Sequence, residues 1–535
     1  MRNDALALLA RVQAKWVLLV LVILAAGLRL WHLDVLPPGL FVDEAYNGLD
    51  ASRIVAGVSR PIFFAGNNGR EPLYIYLQAL SVTLLGPTPL ALRMTSAAIG
   101  IATIPVIYFA ARVILLTGSD QYNSKLAPWL ALIAAAGVAV SYWHLSLSRL
   151  GFRAVLLVPV AALAIAFFWR AWTGLRWRDY IWSGVWFGVA FYTYTAARAL
   201  PAVILAFVMI ELLVGLIHYR SIRSQPSRLW QLHLKGLLLM AFVAGVIALP
   251  LLTTLAKNPL LLSARTEDVS IFVVPQQDMP GTPIERLWHN AIAVANNFYS
   301  QGDQNLRHNL PGRPVNDPLL AVLFTLGWLR ALWCLRRPRN RLLLIWLTVM
   351  LTPTVLSTDA PHSLRSTGAL PVVAMFYAVG GEAIYAGWKA FRNRIEPKPG
   401  TVSHAGSMQA PSPASGFSLL IPLFIVLLIL GISGSLTTRD YFRRWAGSPK
   451  LGEAFEVDLQ LAAAETATVL NAPGANKAIL LSGDLFSQPQ LRFAVGEPIA
   501  QQSSPPQGLL DPSARQRNTQ FIFDRSFDPH RAVVL

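Results

Sequence analysis

The chain has 535 residues, 54% of them apolar and 14% charged, and its mean hydropathy is +0.47. That balance excludes a soluble enzyme and describes a protein that crosses a bilayer repeatedly. The net charge of +17 does not point to nucleic acid, because the basic residues sit in short clusters between apolar runs, at 220–235, 336–341 and 389–398, the distribution by which membrane proteins fix their orientation.

Sixteen tryptophans and fourteen tyrosines fit aromatic belts at the two interfaces. The one cysteine, Cys334, excludes a disulfide within the chain and a cysteine-built metal centre. Arg2, Arg11 and Lys15 precede the first apolar run, which continues into Arg29 and Trp31 without a cleavage motif. An uncleaved first span over residues 16–36, running outward, is expected.

The outer loop that follows, 37–90, opens Pro37-Pro38-Gly39-Leu40-Phe41-Val42-Asp43-Glu44-Ala45-Tyr46 and later reads Arg70-Glu71-Pro72-Leu73-Tyr74. Residues 73–85 are too short to cross comfortably and end in Gly86-Pro87-Thr88-Pro89, which reads as a helix lying along or dipping into the outer surface, with a short true span as the alternative. Further spans are expected at 91–113, 127–142, 155–169, 182–195, 201–217 and 236–255. A long polar outer loop, 257–317, comes next, then spans at 319–335, 342–356 and 369–388, a Pro/Gly/Ser-rich cytoplasmic linker at 389–415, and a last span at 417–436.

The expected fold class is thus an all-α polytopic membrane protein of about eleven transmembrane helices over residues 1–436. The N-terminus is cytoplasmic, and residues 437–535 form a small extracytoplasmic module. In that module a helical stretch at 453–470 and strands at 478–482 and near Phe521 indicate an α/β arrangement.

Asp43 and Glu44 stand where a base could take a proton from an acceptor, although adjacent acids also suit the first turn of a helix. Glu71 beside Arg70 is a substrate contact, a metal ligand, or an ion-pair partner ahead of a helix-starting proline. Arg149 and Arg153 share a helix face and, with Arg198 and Arg365, lie on the outer side against the basic-inside trend. Guanidinium forks at that depth suit a lipid phosphate, or headgroups to which they snorkel. Two polar runs, 302–313 and 359–365, bring His308 and His362 as metal ligands or proton carriers.

Together, Asp43-Glu44, Glu71-Pro72-Leu73-Tyr74, the Ser148-Arg149 turn and the eleven-span plan with an outer C-terminal module resemble the GT-C glycosyltransferases that include the protein O-mannosyltransferases and the lipid A aminoarabinose transferases. The resemblance covers residues 15 to 440. It implies a GT-C fold, a polyprenyl-phosphate sugar donor, an extracytoplasmic acceptor (protein, lipid or glycan), and transfer with inversion in the plasma membrane among membrane lipids. It further implies Asp43 as catalytic base with Glu44 supporting it, and a divalent metal at Glu71 as an optional cofactor; the residues themselves offer Arg70, Glu71, Tyr74, Arg149, Arg153, Arg198, His308, His362 and Arg365 as substrate contacts. Arg153 and Ala154 stand where that group often has an aspartate, so arginines rather than a two-carboxylate metal site are expected to stabilise the phosphate leaving group. The alternatives are a transporter or flippase of lipid-linked sugars, which would place ionisable residues at the midplane, and a non-catalytic envelope assembly protein acting through its tail.

Overall fold

The computed structural model describes residues 2–116, 123–221, 227–261, 269–273, 281–395, 417–470, 478–481, 488–496 and 519–522. The linker expected at 389–415 therefore lies largely outside the described residues, as do parts of the long outer loop and of the tail. The architecture is mostly helical. The first helix, α1 (Arg2–Leu30), is followed in the outer loop by α2 (Val42–Val55) and the short apolar α3 (Leu73–Leu85). Then come α4 (Pro89–Leu116), α5 (Asn123–Val140), the single-turn-and-a-half α6 (Tyr142–Leu147), α7 (Ala154–Gly174), α8 (Trp177–Ala190), α9 (Leu200–Ser221) and α10 (Ser227–Lys257).

An amphipathic helix, α11 (Pro283–Asn296), precedes α12 (Pro318–Trp333), α13 (Pro338–Val355), α14 (Leu370–Ile395) and α15 (Phe417–Arg439). Each of the eleven expected spans coincides with a helix. Seven of the segments are long and apolar enough by themselves to cross a bilayer, while α5 and α12 are shorter apolar helices. A multi-pass membrane architecture follows.

Burial sorts these helices into layers. The apolar windows of α7 and α14 are 83% and 78% buried, and those at α1, α9, α10 and α15 between 17% and 28%. So α7 and α14 form the centre and the latter four face outward. The centre is built from small side chains, among them Ala134, Ala135, Ala161, Ala162, Ala164 and Ala378. Among helices in lipid, small residues let backbones approach and gain dispersion energy where a hydrophobic driving force is weak.

The arginine-rich ends are neutralised internally. Glu382 of α14 is paired by Arg330, Arg337 and Arg339 at 3.3, 3.4 and 2.7 Å, and Glu211 of α9 by Arg341 through two bonds of 2.6 and 2.7 Å. Because α13 starts at this cluster and ends beside the outer loops, its 18 residues separate the two ends by roughly 27 Å, close to a hydrocarbon thickness.

After α15 the helix runs into a π-helical turn (Asp440–Trp445), which carries Tyr441 and Trp445 into a buried aromatic cluster with Phe41, Tyr142, Phe152 and Phe455. A helical turn, α16 (Leu451–Ala454), and α17 (Val457–Leu470) follow, separated at Glu456, which has a left-handed φ of 52°. Two short strands, β1 (Ala478–Leu481) and β2 (Thr519–Ile522), pair in parallel with Ala478 opposite Thr519, and between them α18 (Pro489–Val495) lies against both α17 and α2. The strands fall where the sequence placed them. The docking of α18 on α2 was not foreseen, since it is a contact between segments more than four hundred residues apart.

Phe493 of α18 enters a cluster with Leu40, Ala45, Leu49 and Leu92. Phe493→Ala is expected to weaken tail docking by about 3 kcal/mol, read as faster hydrogen exchange through residues 457–495 with exchange in the central helices unchanged.

Candidate functional site

The site is built on the first turn of α2. Residues 36–40 bend into the helix, Phe41 precedes it in extended conformation with φ −66° and ψ 148°, and the acids at 43 and 44 face the positive end of the helix dipole. Helical spacing then puts Asp43, Asn47 and Asp50 on one face. Asp43 is half-buried and accepts a hydrogen bond from Asn67 Nδ2 at 2.7 Å. It lines a small pocket with Asn47, Phe152, Arg153, Ala154, Tyr194 and Leu364.

Glu44 points the other way and is fully buried. Its Oε1 accepts from the Gly151 N–H at 2.7 Å and from Arg93 Nε at 3.2 Å, and its Oε2 accepts from Arg93 Nη2 at 3.2 Å. Arg93, on α4, uses its remaining donors on the carbonyls of Pro37 and Gly39, each at 2.6 Å. One carboxylate and one guanidinium therefore tie together the loop entry, α2, α4 and the turn after α6. Glu44 is not a second reacting group, contrary to the supporting catalytic role the sequence implied, because both its oxygens are occupied inside the protein.

Arg70 is also internal. It donates to Asn47 Oδ1 at 2.8 Å and to Asp50 Oδ2, and its guanidinium lies over Tyr46 and Phe64. Tyr74 is fully buried, with its hydroxyl 2.5 Å from Ser96 Oγ. Neither lines a cavity wall with Asp43, so both correct the substrate-contact expectation: they brace the loop from behind.

The turn after α6 is held by serines. Ser141 caps α6 by accepting from the His144 N–H at 3.3 Å, and Ser148 Oγ donates to the His144 carbonyl at 2.5 Å. Arg149, fully buried, donates to the carbonyls of Leu28, Arg29, His32 and Leu36 at 2.9 to 3.3 Å. Leu28 and Arg29 lie in the last turn of α1, and His32 and Leu36 in the turn that follows it; in a membrane protein, carbonyls left without helical partners must be satisfied from inside. Arg149 is therefore a clamp on α1 and not a phosphate fork.

Arg153 differs. Its Nε lies 3.2 Å from Glu71 Oε2, its guanidinium stands over Tyr194, and it borders the Asp43 pocket. Glu71 in turn accepts from Thr195 Oγ1 at 2.8 Å and has Arg198 Nη2 at 4.0 Å. Glu71 thus has two arginines as neighbours, and it belongs to no group of three metal-competent side chains among the described residues.

Beyond Tyr194 opens a cavity of about 410 Å³. Val269, Phe272, Pro353 and Leu356 give it apolar walls, and Arg198, Arg365, Thr195 and Ser357 supply the polar ones. Arg365 reaches Asp359 Oδ2 at 3.4 Å with Nη2, while its Nη1 is buried without a hydrogen-bond partner among the described residues. Tyr194 lines this cavity and the Asp43 pocket alike, so the two are neighbours.

The outer loops close the site from above. Arg307 stacks on Phe41 at 4.4 Å, Arg313 holds Asp440 of the π-helical turn at 2.9 Å, and Asp303 joins the two histidine-bearing runs. Its Oδ1 accepts from the Asn305 N–H at 2.9 Å, and its Oδ2 accepts from the Ser363 N–H at 2.6 Å and lies 3.2 Å from His308 Nδ1. Burial works to raise the Asp303 carboxyl, but His308, His362 and the Ser363 N–H outweigh it and hold it well below the usual carboxylate range. His308 and His362 are thus brought together, with rings 4.9 Å apart.

Sequence reasoning missed Arg93, Asp303 and Tyr194. An arginine inside an otherwise apolar helix was the available signal for Arg93; Tyr194 carried none. It also missed Glu456, which comes from the tail to the Val42 N–H and the neighbourhood of Asp43. Burial, with Asp43 adding to it, raises the Glu456 carboxyl, against Val42, Arg307 and Gln490. The chain allows this approach at Gly39, whose φ is 70° and whose missing side chain leaves room for the Phe455 carbonyl.

Comparisons with known proteins bear on the fold. A family model described as dolichyl-phosphate-mannose-protein mannosyltransferase matches residues 69–222, from the end of the first outer loop to α9. No curated protein matches the chain. The archaeal oligosaccharyltransferase AglB from Archaeoglobus fulgidus, in complex with an inhibitory peptide and a dolichol-phosphate, superposes with a TM-score of 0.55 at 14% identity over 90% of this chain and 63% of AglB. Its apo form gives 0.52 at 14% over 90% and 64%. ArnT from Cupriavidus metallidurans in the apo state superposes more loosely, at 0.48 with 14% identity over 92% and 85%. The chain thus spans under two thirds of AglB and shares its fold. The group returned by these comparisons, the GT-C glycosyltransferases, is the one that the sequence motifs resemble.

Glu44→Gln leaves the Arg93 charge buried without its counter-charge and is expected to cost about 3 to 5 kcal/mol, measured as a fall in thermal stability in detergent. For Glu456 the folded state favours the protonated acid. Its contribution is therefore complete below the ordinary value of 4.5 and is lost as pH rises through the raised one. Tail docking, followed by proteolytic susceptibility of residues 457–470, is expected to weaken over that interval and to become independent of pH there in Glu456→Gln.

Proposed function

We propose that the protein is a membrane glycosyltransferase that takes a sugar from a polyprenyl-phosphate donor and passes it, by inverting single displacement, to an acceptor outside the cytoplasm. The observation that carries this reading is the adjacency of two unlike spaces. One is a small polar pocket holding the Asp43 carboxylate; the other is an apolar cavity whose polar edge is Arg198 and Arg365, one of whose guanidinium nitrogens is buried without a partner.

Asp43 accepts a proton from the acceptor hydroxyl or amine as that group attacks the anomeric carbon. Its Asn67 partner keeps the carboxylate oriented. On the opposite side the glycosyl–phosphate bond breaks, and the charge that develops on the phosphate needs fixed cations where it forms. Arg365 and Arg198 supply them, and Arg153, held by Glu71, lies between the two spaces over Tyr194. Apolar cavity walls suit the first units of a prenyl chain, and the AglB structure with dolichol-phosphate supports a lipid phosphate as ligand of this fold.

The eleven-span topology, with a cytoplasmic N-terminus, a plasma-membrane location and an outer α/β tail module, belongs to the same proposal. The basic cluster at the start of α13 and the cavity at its end are consistent with it. A transporter reading fares less well, since the ionisable residues around the cavity gather at one end of the helices and not at their middles.

The test is transfer by the purified protein from a panel of labelled polyprenyl-phosphate sugars. Asp43→Asn is expected to lower turnover by about a thousandfold with thermal stability kept. Arg198→Gln with Arg365→Gln is expected to raise the donor KM by roughly tenfold or more, in line with loss of charge-assisted bonds to phosphate. Undiminished turnover in Asp43→Asn removes Asp43 from the mechanism.

A further inference from the structure

Outside the Asp43 pocket and the arginine-edged cavity, the described residues contain one group of three metal-competent side chains: Asp303 and His308 from the run 302–313, and His362 from the run 359–365. One donor atom from each lies within 4.8 Å of the other two. Asp303 and His308 are each 3% exposed, so water competes poorly for the place. We propose that these residues bind a zinc-class divalent cation, which joins the loop 302–313 to the segment 359–365, whose Leu364 and Arg365 border the Asp43 pocket and the cavity.

The chemistry of the donors selects the ion. Two imidazoles and one carboxylate suit a borderline cation such as Zn²⁺, whereas Mg²⁺ and Ca²⁺ prefer all-oxygen shells. The separation of Asp303 Oδ2 from His308 Nδ1, 3.2 Å, equals the spacing of adjacent ligands that both stand about 2 Å from a tetrahedral zinc.

The backbone around the donors is set independently of any ion. Ser146 Oγ donates to the His308 carbonyl at 2.8 Å, the His362 N–H donates to Thr354 Oγ1 at 2.9 Å, and Asp303 is oriented by the Asn305 and Ser363 N–H groups. Such outer partners aim the ligands of metal sites. Little rearrangement is needed to bring His362 in, because its ring already lies 4.9 Å from that of His308.

The consequence is positional. Leu364 and Arg365 lie two and three residues after His362, and they line the Asp43 pocket and the larger cavity respectively. A cation on the triad would tether the segment that carries them to the loop 302–313, which stacks Arg307 on Phe41. The ion would be a tether and not a Lewis acid, since no triad residue lines either space with Asp43.

The experiment uses the full-length protein, purified in detergent without a histidine tag, loaded with zinc chloride, desalted and assayed for metal. About one zinc per chain is expected, falling to background in His308→Gln and His362→Gln and staying at one in Glu71→Gln. Because a glutamine variant may alter folding, the unmutated protein is also loaded with cobalt chloride. Visible d–d bands of a nitrogen- and oxygen-ligated ion, without thiolate charge transfer from Cys334, are expected. Failure of the unmutated chain to retain zinc or to give those bands overturns the proposal. Zinc retained by both histidine variants, or lost from Glu71→Gln, overturns it as well by placing the ion elsewhere. Metal content is read without any sugar transfer, so it stands or falls separately from the transferase reading.

Discussion

The structure around the first outer loop depends on one buried ion pair, Glu44 with Arg93. Each partner is at most 1% exposed, and between them they contact the Pro37 and Gly39 carbonyls and the Gly151 N–H. Neither charge could remain at that depth alone, and the pair is tolerable only because nearly every donor and acceptor is filled. By fixing the loop entry and the turn before Arg153 to α4, it sets Asp43 and Arg153 against the same pocket. The neighbouring carboxylates thus have different tasks. Glu44 is structural because it is enclosed, and Asp43 is available because it is not.

The same rule explains the outer arginines. In lipid, the carbonyls at the end of a helix have no water to turn to, and Arg149 holds two in the last turn of α1 and two in the turn after it, while Arg29 reaches Ala25 and Val138 carbonyls and His144 from within α1. These side chains read like ligand-binding groups but complete the scaffold. Beside open space remain Arg153 at the Asp43 pocket, and Arg198 and Arg365 at the edge of an apolar cavity. Position relative to unsatisfied backbone, more than residue type, decides which arginine can meet a substrate.

The tail is part of this assembly and not an appendage. Its π-helical turn packs aromatics on Arg149, Asp440 holds Arg313, Glu456 reaches the start of α2, and Phe493 packs with Leu92 of α4 against Gly48 of that helix. The consequence is that the helix carrying Asp43 is packed against α4 and the tail together. A change in the tail is therefore transmitted to the pocket through packed side chains.

Much of this was legible in the sequence because the bilayer imposes one-dimensional rules. A span needs a minimum apolar length and its basic flanks face one way, so apolar length alone located a helix at each of the eleven positions. The acidic pair at 43 and 44, the glutamate at 71 and the histidines at 308 and 362 stood out as polar residues beside spans. What the linear chain could not decide was the direction in which each side chain points once distant segments meet. Asp43 and Glu44 are neighbours in sequence, yet one lines a pocket and the other is locked to Arg93, forty-nine residues away. Arg149 and Arg153 share a helix-like spacing, yet one clamps α1 and the other pairs with Glu71. Those outcomes depend on which buried partner is within reach, and reach is a property of the packed structure alone.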